Sequence, residues 1–230
     1  MTVKFLGTGG AFDFKIGNSA MWIVLNGKNI LVDCGHTVYP VLRRNNLIDD
    51  IDYILITHFH DDHVGSLCTT ILHHTFFLNK SQKTKILYPD EFFKRSLMNY
   101  LSIGLGNVEQ YVEFVPIKEV PEVRAINTFG LHVKNMQSYG FLFEDEKEIV
   151  AISGDLGDPE IIFQCIPETK KAVKVFHEMS FEQTDGVHCF YKDLFHQLEK
   201  FEIYGYHVNP SSEPSDNKIP LVHSQPDLLI

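Results

Sequence analysis

The sequence lacks any apolar run that approaches the about 20 residues a membrane-spanning helix needs. Its first residues, Met1 to Gly7, also lack the charged, apolar and small-residue regions of a signal peptide. We therefore expect a cytoplasmic protein with no membrane partner.

Cysteine is scarce and scattered, at Cys34, Cys68, Cys165 and Cys189. No two of these residues have the C-x-x-C spacing of a zinc knuckle or a redox pair. Free thiols in a reducing compartment, without disulfide bonds, are expected.

Positive charge is also in deficit, because 20 Lys and Arg stand against 30 Asp and Glu and give a net charge of -10. Such a surface repels a polyphosphate chain unless a local basic patch overrides the net charge. Long nucleic acid is therefore a disfavoured partner.

The length of 230 residues suits one domain, 1–230, since chains usually divide only beyond about 250 residues. Strand patterns surround an Asn26-Gly27 turn, which suits a type I′ hairpin. Helical patterns occur further along, at Val38 to Asn46, Val64 to Leu78 and Tyr191 to Leu198. This order of strand and helix patterns along the chain predicts an α/β protein whose two halves each contain strands and helices.

Twelve histidines are more than composition alone suggests, and several of them cluster. Tyr53 to Thr57 is a short apolar run of the kind found in strands buried on both faces. It leads directly into His58, His60, Asp62 and His63, so three imidazoles and one carboxylate leave the sheet edge together. Because Zn²⁺ and similar ions select these ligands, we expect a metal site that supports hydrolysis, with room for two ions.

The H-x-H-x-D-H pattern resembles the defining motif of the metallo-β-lactamase superfamily. The resemblance implies a four-layer αββα sandwich with two divalent ions at one sheet edge. The ligands that it implies are His58, His60 and His132 for one ion, Asp62, His63 and His207 for the other, and Asp155 as a bridge between the two.

The residues outside the motif leave alternatives open. Asp33 resembles the superfamily's first motif, a buried aspartate that supports the metal loop, but it also suits a turn. Asp155 also suits the cap of a following helix. His188 competes with His132 for its ligand position. We favour His132, in the short predicted strand Leu131 to Val133, because a histidine near a strand end that is followed by a strand-turn-strand passage suits inward projection.

The opening Phe5 to Phe12, followed by Asn18-Ser19, resembles the ribonuclease Z branch of phosphodiesterases within the superfamily. That branch carries a His-Glu-Ala-Thr box, to which His177 to Ser180 is similar in position but from which Met179 and Ser180 depart.

This resemblance also implies catalytic roles. His188, steadied by Glu178, would protonate the leaving oxygen of a phosphodiester, and Asp62 would take part in catalysis as well as in metal binding. On the alternative interpretation, Glu178 caps a loop and His188 begins a surface helix.

The long basic arm that grips RNA in transfer-RNA-processing members is missing between His63 and His207. A small phosphodiester substrate is favoured, and the similarity to anti-Pycsar cyclic-nucleotide phosphodiesterases implies that a metal-bridging hydroxide hydrolyses cyclic nucleotides. The alternatives are a ribonuclease Z-type tRNA 3′-processing endonuclease with a partner subunit as its arm, a thioester, lactone or β-lactam hydrolase, and a metal-binding scaffold or sensor without turnover.

Zinc is the expected ion, with Mn²⁺ and iron as alternatives that suit the same ligands. The resemblance also implies a homodimer, for which the apolar segments Ile71 to Leu78 and Phe92 to Leu101 are candidate contact surfaces, although core packing explains them equally well. Five aromatic residues near the predicted cleft are candidates to stack on a base, although aromatic residues there are more often core: Phe12, Phe14, Trp22, Tyr139 and Phe141.

Overall fold

A computed structural model describes residues 1–77 and 83–230 of the chain. In that part of the chain the strands form two sheets, one of six strands and one of five. The strands of the first sheet are β1 Thr2–Gly7, β2 Ala20–Leu25, β3 Lys28–Val32, β4 Tyr53–Leu55, β5 Thr84–Tyr88 and β6 Val112–Pro116. The strands of the second sheet are β7 Val123–Asn127, β8 Tyr139–Glu144, β9 Glu148–Ile152, β10 Ala172–Glu178 and β11 Glu202–Tyr206.

The first sheet begins with antiparallel pairing and continues with parallel pairing. β1, β2 and β3 pair antiparallel in sequence, and β3 to β6 pair parallel. The turn between β2 and β3 is formed by Asn26 and Gly27, whose φ angles are 48° and 76°. Two positive φ angles in succession are what a type I′ turn requires, so the predicted hairpin is confirmed.

The second sheet repeats this arrangement. β7, β8 and β9 pair antiparallel, and β9, β10 and β11 pair parallel. Parallel pairs need crossover connections, which are mostly helical and cover the faces of the sheets. The α-helices of the described residues are α1 Val38–Arg44, α2 Asp61–Val64, α3 Leu67–Phe77, α4 Glu91–Leu105 and α5 Glu160–Cys165.

The main core lies between the two sheets. Phe5 of β1 contacts Phe176 of β10 and Tyr206 of β11, with ring centroids 5.3 and 5.6 Å apart. On the other side of the first sheet, α1, α3 and α4 pack through buried side chains such as Leu42 and Leu97. A second cluster joins α5 to the second sheet. The predicted four-layer αββα sandwich is confirmed.

The ends of the strands position the candidate site. Asp33 directly follows β3, and His58 lies three residues beyond the end of β4, the parallel neighbour of β3. Asp155 follows β9, and His207 follows β11 in the second sheet. Since parallel strands end at the same edge of their sheet, each sheet delivers its polar residues to one edge.

The predicted strand at Leu131 to Val133 is wrong. This segment is a succession of turns, in which the Leu131 N–H donates to the Thr128 carbonyl at 3.0 Å and the Met136 N–H donates to Val133 at 3.0 Å. The Thr128 hydroxyl donates to the Ser138 hydroxyl at 2.9 Å and ties the ends of the loop together. His132 therefore projects from a closed loop and not from a strand end.

Two predicted helices also differ from the structure. The segment predicted as Val64 to Leu78 begins as α2, breaks and continues as α3, and Leu78 lies outside the described residues. The segment predicted as Tyr191 to Leu198 is a 3-10 helix, Tyr191–Gln197. In residues 1–77 and 83–230, no helix combines the length and apolarity that a bilayer crossing demands.

Candidate metal centre

Asp33 anchors the loop that carries the histidine motif. Its Oδ1 accepts from the Thr57 backbone N–H at 2.8 Å, and its Oδ2 accepts from the Thr57 hydroxyl at 2.8 Å. Oδ2 also accepts from His63 Nδ1 at 2.8 Å. Asp33 has a φ of 64°, a left-handed conformation that aspartate tolerates better than most residues. The backbone of Asp33 is therefore that of a turn residue, as the alternative interpretation has it. Its side chain in addition orients the histidine motif through Thr57 and His63.

Three imidazole nitrogens converge on one point. His60 Nδ1 lies 3.0 Å from His58 Nε2 and 3.1 Å from His132 Nε2. Tetrahedral Zn–N bonds of about 2.0–2.1 Å place two ligand nitrogens about 3.3 Å apart. The observed spacing is therefore close to the spacing around a single ion.

The far nitrogens of two of these rings have fixed partners. His58 Nδ1 lies 3.0 Å from the Thr57 hydroxyl oxygen, whose own hydrogen is directed to Asp33. His132 Nδ1 donates to the Val187 carbonyl at 2.7 Å. Such contacts set the tautomer and leave Nε2 free to bind a metal. Burial lowers the pKa of His58, His60 and His132 and so favours the neutral imidazole that metal binding requires.

A second group of ligand atoms lies beside the first. Asp62 Oδ2 is 3.2 Å from His207 Nε2 and 3.4 Å from His63 Nε2. His207 follows β11 with a φ of 67°, an uncommon conformation for a residue other than glycine. Strained backbone of this kind is concentrated at functional sites.

Asp155 lies between the two groups. Its Oδ2 is 3.5 Å from His63 Nε2 and 3.4 Å from His207 Nε2. The same oxygen is 3.9 Å from His58 Nε2 and 4.0 Å from His132 Nε2. Burial opposes the charge of this carboxylate, but the neighbouring His207 and His63 outweigh burial and hold its pKa well below the usual value.

Two buried polar atoms in this cluster lack a hydrogen-bond partner, namely His63 Nε2 and Asp155 Oδ1. Orphaned buried groups are costly, and each needs a physical reason such as a bound ion. The ligand-type atoms of each group lie within 4.8 Å of one another. The residues present therefore fit divalent metal ions, and all seven predicted ligands are brought together: His58, His60, Asp62, His63, His132, Asp155 and His207.

Glu178 and His188 form a pair at the edge of the cluster. His188 Nδ1 donates to Glu178 Oε2 at 3.1 Å, while Glu178 Oε1 accepts from the backbone N–H groups of Leu156 at 3.1 Å and Cys189 at 3.0 Å. Burial opposes protonation of His188, but the hydrogen bond and charge of Glu178 outweigh it and raise the pKa of His188 to about 9.

Both interpretations of this pair describe part of the structure. Glu178 binds loop backbone, as a loop cap does, but it also holds the His188 ring. His188 precedes the 3-10 helix, which begins only at Tyr191, and its ring lies 5.0 Å from that of His132 and 5.4 Å from that of His207, centroid to centroid. His132, and not His188, lies against His60.

A cavity of about 470 Å³ opens over these groups. This volume lies in the range of about 300–1,000 Å³ that is usual for small-molecule sites. Its polar lining includes His60, Asp155 and His188, and its apolar lining includes Phe12 and Phe14.

Sequence reasoning missed two groups that orient the ligands. Thr57 connects Asp33 to His58, and its position directly before the motif is a signal that could have identified it. The Val187 carbonyl fixes His132, and no sequence pattern could have found a backbone group that meets its partner 55 positions away.

The fold and the site together define a metal-dependent hydrolase of the metallo-β-lactamase fold. Among solved structures, a diphosphatase of the PhnP family has a TM-score of 0.68 at 16% identity, covering 95% of this chain and 93% of that one. The short form of human tRNase Z has a TM-score of 0.64 at 21% identity, covering 93% of this chain and 95% of that one.

The sequence comparisons are more specific. A family model described as anti-Pycsar protein Apyc1 matches residues 1–223. The anti-Pycsar protein Apyc1 of Bacillus phage BSP38 is 30% identical over 219 residues, which cover 85% of this chain and 83% of the phage protein. The chain therefore belongs to the anti-Pycsar Apyc1 family, as the sequence resemblance predicted.

Proposed function

We propose that this protein is a dinuclear phosphodiesterase that hydrolyses small cyclic nucleotides. One observation carries the proposal: a single oxygen, Asp155 Oδ2, lies within 4.0 Å of nitrogens from both groups of ligands. A carboxylate in this position suits a bridge between two cations. His58, His60 and His132 would hold one ion, and Asp62, His63 and His207 would hold the other.

Paired divalent ions supply Lewis acidity toward a phosphoryl oxygen and lower the pKa of water. The chain's own residues position that chemistry. Asp33 and Thr57 fix the orientation of the His58 and His63 rings through hydrogen bonds of 2.8 to 3.0 Å. Asp62, whose carboxylate faces His63 and His207, contributes negative charge beside these two rings.

His188 supplies a proton donor for the leaving oxygen. Its ring lines the cavity beside His132 and His207, while Glu178 accepts a hydrogen bond from Nδ1. The Nε2 face is thus available to a bound substrate. A general acid in this position assists departure of a basic alkoxide, such as the sugar oxygen of a nucleotide.

Three features support a small cyclic substrate over a polynucleotide. The chain belongs to the anti-Pycsar Apyc1 family, for which the sequence resemblance implies cyclic mononucleotides. The cavity of about 470 Å³ is of small-molecule size. The net charge of -10 disfavours a long phosphate backbone.

The identity of the ions, zinc or otherwise, stays a prediction. The homodimer also stays a prediction.

The proposal predicts that the metal-loaded protein hydrolyses 3′,5′-cyclic nucleotides to linear monophosphates. The measurement is product formation by chromatography, with a chelator-treated sample as the control that removes the ions. A precursor transfer RNA, a thioester and a lactone are tested in parallel. Turnover of one of these in place of the cyclic nucleotides, or of none of the substrates, would refute the proposed activity.

A further inference from the structure

The five aromatic residues near the cleft fall into two groups in the structure. Trp22, Tyr139 and Phe141 are buried in the core. Phe12 and Phe14 are instead 94% and 64% exposed, and both line the cavity over the metal ligands. Two exposed phenylalanines two positions apart at the mouth of a polar site have no structural task in the described chain.

The loop that carries them is anchored at both ends. The Gly9 N–H donates to the Gly17 carbonyl at 2.8 Å, and the Gly17 N–H donates to the Asp13 carbonyl at 3.0 Å. The Asn18 side chain donates to the Gly10 carbonyl at 3.2 Å. The backbone that presents Phe12 and Phe14 is therefore held in place without any contribution from their rings.

The same loop lies directly against the metal centre. A Cβ atom added at Gly10 would lie 3.3 Å from Cε1 of His207, so the loop backbone packs on a ligand ring. Phe12 and Phe14 follow Gly10 by two and four positions and line the same cavity as His60, Asp155 and His188. A ligand that occupies this cavity therefore meets both the polar groups of the ligand cluster and aromatic surface.

We infer that Phe12 and Phe14 bind the nucleobase of the substrate. This inference rests on the proposed phosphodiesterase function, because the phosphate must lie at the ligand cluster for the base to reach the loop. A ribose 3′,5′-cyclic phosphate is rigid and carries its base at the opposite end from the phosphorus. Because every base has a π face, stacking on phenylalanine accepts purines and pyrimidines alike.

The test compares Phe12→Ala and Phe14→Ala, singly and together, with wild type on a 3′,5′-cyclic nucleotide and on methyl riboside 3′,5′-cyclic phosphate, which has no base. Loss of base stacking is expected to raise KM for the nucleotide by about fivefold or more, with kcat within about twofold. KM for the compound without a base stays unchanged. Phe76→Ala, at an equally exposed phenylalanine of α3, is the matched control and leaves both values unchanged.

A binding measurement makes the test independent of turnover. In saturation-transfer NMR with a slowly hydrolysed cyclic phosphorothioate, base protons receive saturation from wild type and lose it in the double variant. Equal KM changes for both substrates, or unchanged base-proton signals in the double variant, would overturn the inference. Failure of wild type to hydrolyse either substrate would instead refute the proposed function, so the two failures are distinguishable.

Discussion

Replacement of Asp155 by asparagine is expected to lower kcat/KM for a 3′,5′-cyclic nucleotide by about 10³-fold, which corresponds to about 4 kcal/mol of lost transition-state stabilisation. The physical reason is the position of Asp155 Oδ2, which lies within 4.0 Å of nitrogens in both ligand groups. Asparagine keeps the shape of the aspartate side chain but removes the negative charge that would balance the positive charge of two cations. Steady-state kinetics measures the loss of activity, and the metal content of the same sample measures the loss of bound ions.

The matched control for this substitution is Asp158→Asn. Asp158 is an exposed aspartate three positions further on, whose Oδ1 accepts from the Glu160 N–H at 3.0 Å, a contact that asparagine preserves. This variant keeps full activity and metal content. Circular dichroism establishes that Asp155→Asn remains folded. A folded Asp155→Asn variant with wild-type activity would contradict the bridging role.

Replacement of His188 by alanine is expected to lower kcat for a cyclic nucleotide by 10²-fold or more while leaving metal content unchanged. A general acid contributes about 10²- to 10⁴-fold, and His188 is the cavity-lining histidine that Glu178 holds at 3.1 Å. The measurement is kcat at saturating substrate, with elemental analysis of the same preparation.

The leaving group makes this test specific. Bis(p-nitrophenyl) phosphate releases p-nitrophenolate, a weak base that departs without a proton, so His188→Ala loses much less activity on this substrate than on a cyclic nucleotide. His196→Ala, at an exposed histidine that pairs with Glu160 at 2.7 Å, is the control and changes neither rate. Equal losses on both substrates would assign His188 to the metal centre or to folding, and not to proton donation.

Local signals in the sequence were sufficient for much of the fold. The Asn26-Gly27 hairpin follows from the φ angles that these residues tolerate. The apolar run at Tyr53 to Thr57 contains the buried strand β4, whose Ile54 and Leu55 are fully enclosed. The layered arrangement itself came from resemblance, since no local pattern states which sheet faces which.

The loop that carries His132 shows where local reasoning failed. A short apolar stretch, Leu131 to Val133, has strand-like composition, but its backbone hydrogen bonds go to turns. Thr128 and Ser138 close the loop across ten positions, and the Val187 carbonyl orients His132 from a different part of the chain. These are tertiary contacts, which outweigh the propensity of three residues.

The candidate site was predictable in residue type but not in organisation. The motif, the order and spacing of the outlying residues and the resemblance identified each of the seven ligand-type residues that the structure brings together, but not Thr57 or the Val187 carbonyl, which orient them. How these residues orient one another depends on where their side chains point. For example, the Thr57 hydroxyl lies between Asp33 and His58 and contacts both. The difference between exposed Phe12 and Phe14 and the three buried aromatic residues likewise depends on the folded structure, because no local sequence pattern distinguishes them.

The most direct test of the account is elemental analysis of the purified chain by mass spectrometry, read together with its phosphodiesterase activity. Two divalent ions per chain are expected, both removed by a chelator together with turnover of a cyclic nucleotide, and both restored by adding the ion back. A folded protein that binds no ion, or one that is fully active with a single ion, would contradict a paired-cation centre bridged by Asp155.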